Sequence, residues 1–227
     1  MLFYIYQFDN AVLNTAAHLY LLKGIPYMRK EAAGVTEKLI ASAKKEFLEH
    51  GFHDASLRRI SSDSGVSTNS IYTRFGDKSG LFTAIVKDAA DGLMEIYLNS
   101  VSKAAGSHDV DKAVHEGEKG TYSVLEYVYQ HLDEFRLIFC HSEGTEYEDY
   151  FDELARIEEE YYREFTRQYS DGSHKIDEFF IHVYCRNGWQ YICELIEHGK
   201  SFGQACEFME NVRLFNSAGW KAVFGII

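Results

Sequence analysis

Proline is nearly absent from this sequence, with one among 227 residues. Because proline breaks helix interiors, its scarcity is typical of long, unbroken helices. Cysteine is also rare: only Cys140, Cys185, Cys193 and Cys206 are present, and no two of them form a Cys-x-x-Cys pair. This pattern argues against a disulfide scaffold, a zinc ribbon and a thioredoxin-like motif. We therefore expect reduced thiols and a cytoplasmic protein.

Long hydrophobic runs are missing where the chain opens, although its first 27 residues are apolar and aromatic. The uncharged run between Asp9 and Lys23 has 13 residues, well short of the roughly 20 that a membrane-spanning helix needs. A basic start and a small-residue cleavage site, which a secretory signal requires, are absent too. We predict no membrane partner and interpret residues 1–32 as an N-terminal extension or arm. Either Met28 is the natural start, which we favour, or an amphipathic arm packs on the body.

The motifs of common enzymes and metal sites are also lacking. There is no Gly-rich phosphate loop, no nucleophile elbow and no His-Glu-x-x-His, so we predict neither catalytic residues nor a cofactor. His182 and Cys185 share a helical face, and Cys140 adjoins His141, but three or four converging ligands are needed. We therefore predict no metal site. The run Glu158-Glu159-Glu160 is interpreted as a solvated helix face.

What the chain does contain is an ample core and an uneven charge. Hydrophobic residues make up 46% of it, with 16 Tyr and 16 Phe, so a disordered chain is excluded. The net charge is −12, yet residues 28–82 hold nine Lys and Arg against seven Asp and Glu, whereas residues 83–227 hold 13 against 27. Because an acidic body repels phosphate, nucleic acid would have to meet the amino-terminal part.

Apolar residues recur at helical spacing along the whole chain, as in Leu39, Ala43 and Phe47, and no segment alternates like a strand. Residues 106–119 are predicted to be a loop with a weak helix. The spacing predicts an all-α fold of about nine helices. These helices are 36–50, 57–64, 67–74, 78–103, 121–132, 134–140, 146–169, 174–198 and 202–224.

The strongest functional signal lies in residues 56–82, where Gly65 joins two short helices and Val66 fills the corner. This is helix-turn-helix spacing. The outer face of the second helix carries small polar residues that suit phosphates and base edges better than a structural surface, where Glu, Lys and Gln are usual. These residues are Ser67, Thr68, Asn69, Ser70 and Thr73.

Residues 33–82 resemble the DNA-binding head of the tetracycline-repressor (TetR) family. The family pattern is found in Phe47, Gly51-Phe52, Ser56, Ile60, Gly65-Val66, Tyr72, Phe75, Lys78 and Leu81. The final stretch FNSAGWKAVFG is similar to the C-terminal helix of some members. Ser61 and Ser62 depart from the usual Ala, and Gly80 from the common Glu. We expect Gly80 to weaken the start of its helix by about 1 kcal/mol.

The resemblance implies a role for each matching position. The DNA contacts would be Arg58, Ser67, Thr68, Asn69, Ser70, Tyr72, Thr73 and Lys78, with Asn69 favoured for a base. The core would contain Phe47, Ile60, Val66, Ile71 and Phe75. Tyr72 has the alternative of a half-buried core aromatic. Arg58 and Arg59 could both touch phosphate, but a solvated helix face is the alternative for at least one.

A homodimer on a palindromic double-stranded operator is also implied, because one head reads too few base pairs. The last two helices would form the dimer face, mixed with ordinary core. Candidates are Trp189, Ile192, Ile196, Phe208, Val212, Phe215 and Trp220. The body, residues 83–227, would bind an unknown small-molecule effector that is apolar or planar. Its lining would include Tyr122, Tyr129, Phe139, Tyr161, Phe165 and Tyr184, unless they form a packed core without a ligand.

The predicted function is a sequence-specific DNA-binding transcriptional regulator, a ligand-responsive repressor with a three-helix head and a larger effector and dimerisation body. A ligand would tilt the fourth helix, which joins head to body without a Gly or Pro hinge until Gly92, change the separation of the heads and so release the DNA. One alternative is a helical small-molecule-binding protein or enzyme that retains the head as a relic. Another is a purely structural dimerisation module.

Overall fold

Nine α-helices make up nearly all of the regular structure in the computed structural model, which describes residues 34–106, 110–170, 172 and 174–225. These residues contain no β-strand, so the predicted all-α class is confirmed. The predicted extension or arm, residues 1–32, lies outside them. The helices are α1 (Val35–Asp54), α2 (Leu57–Ser64), α3 (Thr68–Phe75), α4 (Lys78–Ala105), α5 (Val110–Gln130), α6 (Leu132–Cys140), α7 (Tyr150–Tyr169), α8 (Glu178–Glu197) and α9 (Phe202–Phe224).

The short helices α2 and α3 begin where the sequence supplies a capping hydroxyl. Ser56 Oγ accepts a hydrogen bond from the Arg59 amide at 3.4 Å, and Ser67 Oγ accepts one from the Ser70 amide at 3.2 Å. These bonds satisfy amides that have no partner inside the helix. Gly65 ends α2 in the left-handed region, with φ of 69°. The cap and the turn therefore set the spacing between α2 and α3.

The core of the head contains a fully buried residue from each of its first three helices. Phe47 of α1, Ile60 of α2 and Ile71 of α3 are fully buried. The Phe47 ring meets the Phe82 ring of α4 edge to face, with centroids 5.2 Å apart. The other two residues predicted for the core, Val66 and Phe75, are only half-buried. The first turns of α4 thus belong to the packing of the head, and the helix continues unbroken past the predicted boundary at residue 82.

Helix α5 corrects the prediction of a loop with a weak helix over residues 106–119. It begins at Val110 and runs through Gly117 and Gly120 without a break. A Cβ on Gly120 would lie 2.7 Å from Ser100 Cβ, and one on Gly92 would lie 2.1 Å from Tyr127 Oη. Glycine at these positions therefore lets α4 and α5 pack closely. Gly92 serves this contact inside a continuous α4 and does not interrupt it.

Helix α7 also starts later than the predicted residue 146, because the preceding residues form turns. Ser142 Oγ donates to the Ile138 carbonyl at 2.6 Å, and Thr145 Oγ1 donates to the Ser142 carbonyl at 2.7 Å. This segment touches the head, since the Phe52 amide donates to the His141 carbonyl at 3.1 Å. The α6–α7 connection therefore links the body to the end of α1.

Large apolar side chains remain exposed on α8 and α9. They are Phe179, Phe180, Val183, Phe202, Phe208, Leu214 and Phe215. Of the predicted dimer-face residues, Trp189, Ile192 and Ile196 are buried within the protomer, whereas Phe208 and Phe215 are exposed. Val212 and Trp220 are half-buried. The candidates thus divide between protomer core and free surface. No helix among the described residues is long and apolar enough to cross a lipid bilayer.

Candidate nucleic-acid interface and ligand cavity

Helix α3 rests on the head through Ile71 and turns its polar side outward. Ser67, Asn69 and Thr73 are exposed, and Tyr72 is 55% exposed. Thr68 and Ser70 are half-buried. The exposure of Tyr72 disfavours its alternative interpretation as a half-buried core aromatic. The predicted contact residues of α3 and its N-cap therefore lie together on one short, protruding surface.

Hydrogen bonds within α3 occupy some of these polar groups and leave others available. Ser67 Oγ and Ser70 Oγ are 3.0 Å apart, and Thr73 Oγ1 donates to the Asn69 carbonyl at 2.8 Å. The Asn69 amide group and the Tyr72 hydroxyl make no hydrogen bond within the described part of the chain. Asn69 can thus use both its donor and its acceptor on an outside group.

Arg58 and Arg59 have different surroundings. Arg59 Nε donates to Glu46 Oε1 at 2.7 Å, and its Nη2 donates to the Asp54 carbonyl at 2.8 Å. Glu46 is buried, which by itself would raise its pKa, but the bonds from Arg59 and from the Ser56 amide outweigh burial and hold that pKa below its usual range. Arg59 therefore joins α2 to α1. Arg58 is exposed on the outer side of α2.

Lys78 lies at the start of α4 and is held by the end of α1. Its Nζ donates to the His53 carbonyl at 2.9 Å and to the Ala55 carbonyl at 3.3 Å, and it lies 4.6 Å from the centroid of the Phe52 ring. An ammonium group has three donors, so two are used here. The predicted phosphate contact of Lys78 stays a prediction, next to this positioning role within the head.

The body contains a cavity of about 470 Å³ between α4, α5, α7, α8 and α9. Four of the six predicted ligand residues line it: Tyr122, Tyr161, Phe165 and Tyr184. The other two lie elsewhere. Tyr129 Oη donates to the Lys200 carbonyl at 3.0 Å, and the Phe139 ring packs against Phe135 at 5.7 Å between centroids. Neither residue lines the cavity.

The three consecutive glutamates of α7 do not form the predicted solvated face. Only Glu160 is exposed. Glu159 is 8% exposed, and its carboxylate lies 3.1 Å from Arg163 Nη2 and 2.7 Å from His182 Nδ1. Glu158 lines the cavity. Part of the Glu158 side chain faces the cavity, and protein surrounds the rest. This burial raises the pKa of Glu158 to about 8.

Sequence reasoning missed Glu158, although a signal was present. The residue lies four positions after Leu154, three before Tyr161 and seven before Phe165. Such spacing places it on the apolar stripe of α7 and not on the opposite face. A carboxylate inside an apolar stripe indicates a buried polar group. The described residues hold no group of three or more His, Cys, Asp or Glu side chains placed to bind one metal ion.

The family model described as bacterial regulatory proteins, tetR family, matches residues 39–85, which contain most of α1, all of α2 and α3, and the start of α4. The head, residues 39–85, is therefore similar to that of the TetR-family regulators. It is 33% identical over 60 residues to the HTH-type transcriptional repressor AcnR of Corynebacterium glutamicum, an alignment that covers 26% of this chain and 32% of AcnR. It is 31% identical over 98 residues to the HTH-type transcriptional repressor BepR of Brucella suis, covering 43% and 44%.

The chain thus spans less than half the length of these curated relatives. A solved TetR-like transcriptional regulator from Rhodococcus sp. RHA1 is similar over 84% of this chain and 100% of its own, with a TM-score of 0.54 and 17% identity. At that identity the likeness concerns the fold, which extends the TetR-type architecture from the head into the body.

Proposed function

We propose that this chain is a DNA-binding transcriptional regulator of the TetR family that reads its operator with α3. The observation that carries the proposal is the exposed polar face of α3, within a head that matches the family over residues 39–85. A major groove admits one α-helix, and small polar side chains let the helix backbone come close to the bases. Ser67, Thr68, Ser70, Tyr72 and Thr73 would contact phosphates or base edges.

Asn69 is the residue proposed to select a base. Its amide group is exposed and has no hydrogen bond within the described residues. An Asn amide can bond to N6 and N7 of adenine at once. Arg58, exposed on α2, would hold the adjacent phosphate backbone, and Lys78 would do so at the start of α4. The free amides at the start of α3 favour a phosphate as well.

A homodimer would place two heads on a palindromic site. The exposed apolar side chains of α8 and α9 support this proposal. Two helices from each protomer could bury them in a four-helix bundle. Related heads would then read half-sites one helical turn, or a multiple of it, apart.

We further propose that a small-molecule effector binds in the cavity and releases the DNA, which makes the protein a repressor like AcnR and BepR. Helix α4 supports this route because it holds Lys78 at one end and the cavity residues Tyr97 and Ser100 near the other. A shift at the cavity would pass along a continuous helix to the head. The distance between two heads would then no longer fit one operator.

The test is a selection of duplexes from a random library by the full-length protein at about 150 mM salt, followed by titration of the selected site. We expect an inverted repeat that binds at least about 10³ times more tightly than random duplex. Equal binding of selected and random duplex would contradict the proposal and favour the alternative of a relic head.

Asn69→Ala tests the base contact on the same site. We expect it to relax preference at one base pair in each half-site, at a cost of about 1–3 kcal/mol. Asn99→Ala is the matched control, because Asn99 is an exposed asparagine of α4 in the body. A uniform weakening on all sequences would instead assign Asn69 to a phosphate.

A further inference from the structure

The cavity combines one acidic side chain with largely aromatic walls. Glu158 enters it from α7, and its carboxylate lies over Gly188 of α8. A Cβ on Gly188 would be 3.6 Å from Glu158 Oε2 and 3.7 Å from Oε1. The carboxylate therefore stands where α8 has no side chain, and the acid is part of the wall that a ligand would touch.

No cation in the part of the chain that the structure describes neutralises this carboxylate. No ion pair to Glu158 is present among the described residues, although its neighbours Glu159 and Glu160 both bond to Arg163. The Tyr97 hydroxyl and the Trp189 N–H are buried close to it, and the Trp189 N–H lowers the pKa of Glu158 without outweighing the effect of burial. A buried carboxyl with no countercharge is costly when ionised, which leaves a place for a positive charge from outside.

The walls around the acid are aromatic rings in mutual contact. The Tyr162 ring stacks on Trp220 at 5.0 Å between centroids, and Tyr184 meets Trp220 edge to face at 4.8 Å. Tyr161, Phe165 and Phe224 continue the lining. The faces of such rings attract cations, with Trp the strongest.

The basic residues of the lining are either paired with acidic side chains or exposed. Arg213 of α9 lies 3.1 Å from Glu118 and 2.7 Å from Glu210, so its charge is compensated. Lys221 is exposed. An anionic ligand would find a compensated arginine and a solvated lysine, whereas a cationic ligand would find an uncompensated acid between aromatic walls.

We propose that this cavity binds a monovalent organic cation with an aromatic body, its charge against Glu158 and its rings against the aromatic walls. A volume of about 470 Å³ suits a molecule of drug size. The proposal names the ligand class of the effector site in the proposed function and rests on that function only for the step that releases DNA.

Binding of a permanent cation requires the Glu158 carboxyl to give up its proton to the solvent. The titratable groups that face it are Tyr97 of α4, Tyr161 and Tyr162 of α7, and Tyr184 and Cys185 of α8, and burial raises the pKa of each, so they stay neutral near pH 7. The remaining charged groups of the lining are Glu118 of α5 and Arg213 and Lys221 of α9. Glu158 itself, with its pKa raised to about 8, is therefore the group that couples binding to pH.

The experiment measures binding of 10-methylacridinium, a permanent aromatic cation, and of uncharged acridine to the full-length protein without DNA. We expect the cation to bind at least about tenfold more tightly than acridine near pH 8. Glu158→Gln should weaken the cation by at least about tenfold and change acridine by less than about threefold. Glu160→Gln is the matched control, since it removes an exposed carboxylate from the same helix and should leave both ligands unchanged.

The pH dependence of cation binding by the unaltered protein is a second measurement. A purely structural role of Glu158 would not produce this dependence. Below about pH 8 the empty site holds a protonated carboxyl, so affinity for the cation should rise about tenfold per pH unit and level off above it. Glu158→Gln should remove the slope. Equal affinity for the two ligands, no binding of the cation, or a flat profile in the unaltered protein would each overturn the proposal.

The two proposals can fail separately. Charge-selective binding of methylacridinium by a protein that selects no DNA would keep the cation site and reject the regulator. Selective DNA binding by a protein that treats methylacridinium and acridine alike would keep the regulator and reject the cation site.

Discussion

Arg58 and Arg59 are adjacent in α2, yet the fold uses them differently. Arg59 is held by Glu46 and the Asp54 carbonyl, whereas Arg58 points to solvent near the proposed DNA surface. Asn69 and Glu158, like Arg58, keep a polar group that is available to a partner outside the protein. At this scale, function follows from which polar groups the protein leaves without an internal partner.

Gly80 is a residue where helix propensity and the tertiary structure predict opposite effects. Propensity alone predicts that Gly80→Ala stabilises α4 by about 1 kcal/mol. A Cβ on Gly80, however, would lie 1.9 Å from the carbonyl oxygen of Phe75. We therefore expect Gly80→Ala to lower the free energy of unfolding by about 1–3 kcal/mol, measured by urea denaturation.

Gly117→Ala is the control for this substitution. Gly117 lies inside α5, and apart from its chain neighbours and the backbone of its own helix no described heavy atom lies within 4 Å of the position its Cβ would take. It should gain up to about 1 kcal/mol. A similar gain from Gly80→Ala would show that the turn between α3 and α4 leaves room for a side chain.

Elements of the head are joined by polar contacts as well as by packing. The α1 carboxylate of Glu46 accepts from the Ser56 amide at 2.8 Å and from Arg59, so one buried acid sets the position of α2 on α1. In the body, the contacts at Gly92 and Gly120 bring α4 and α5 together. The spacing between helices thus depends on a few positions. At some of them glycine leaves room for the neighbouring helix, and at others a polar side chain is hydrogen-bonded across the contact.

The contact between α1 and α2 should make the head sensitive to acid. The pKa of Glu46 is held below its usual range in the folded state, so the unfolded chain binds a proton more readily as pH falls. The stabilisation is therefore present above the unfolded pKa of about 4.5 and is lost as pH drops through the lower folded value.

This pH dependence is measurable by thermal unfolding between about pH 7 and pH 3. Glu46→Gln should be less stable than the unaltered protein near neutral pH, and the difference should shrink in acid. Glu49→Gln is the control, because Glu49 is exposed on α1 and its carboxylate lies 4.0 Å from His50 Nε2. A difference between Glu46→Gln and the unaltered protein that is constant with pH would contradict the assignment.

In the whole molecule, α4 and the α6–α7 connection link the head to the body. Lys44 of α1 pairs with Glu134 of α6 at 2.8 Å, and Thr83 Oγ1 of α4 donates to Glu146 Oε1 at 2.8 Å. The cavity lies farther along α4, and the exposed apolar side chains lie on α8 and α9. This arrangement supports the proposal that DNA binding, effector binding and dimerisation use different surfaces.

Leu214→Glu tests the proposed pairing. Leu214 is 54% exposed on α9 and is not among the residues that line the cavity. A charge placed in an apolar interface is costly to bury, so the dimer should dissociate at least about tenfold more readily in sedimentation equilibrium. Asn99→Glu adds the same charge to an exposed site of α4 and should leave the dimer intact. An unaltered protein that is a monomer at micromolar concentration, or a Leu214→Glu dimer of normal strength, would rule out this interface.

Local patterns in the amino-acid sequence were enough to predict the helical class, the helix-turn-helix head and the polar outer face of α3. These features depend on residues close in the chain: the caps Ser56 and Ser67, the turn at Gly65, and the inward Ile60 and Ile71. Most helix ends follow from the same short-range rules. The start of α5 at Val110 does not follow from these rules. Glycine at position 120 is favoured by a close contact with Ser100, which belongs to a different helix.

Only the tertiary structure decided which polar side chains are occupied and which apolar ones are exposed. Arg59 and Lys78 are bonded by residues from α1 and the segment after it. Glu158 lines the cavity, whereas Tyr129 and Phe139 do not. Helical spacing tells which residues share a face, but the partner of that face is set by how distant helices pack. For this reason the polar outer face of α3 could be predicted from the sequence, whereas the cavity and the position of Glu158 in it depend on the tertiary structure.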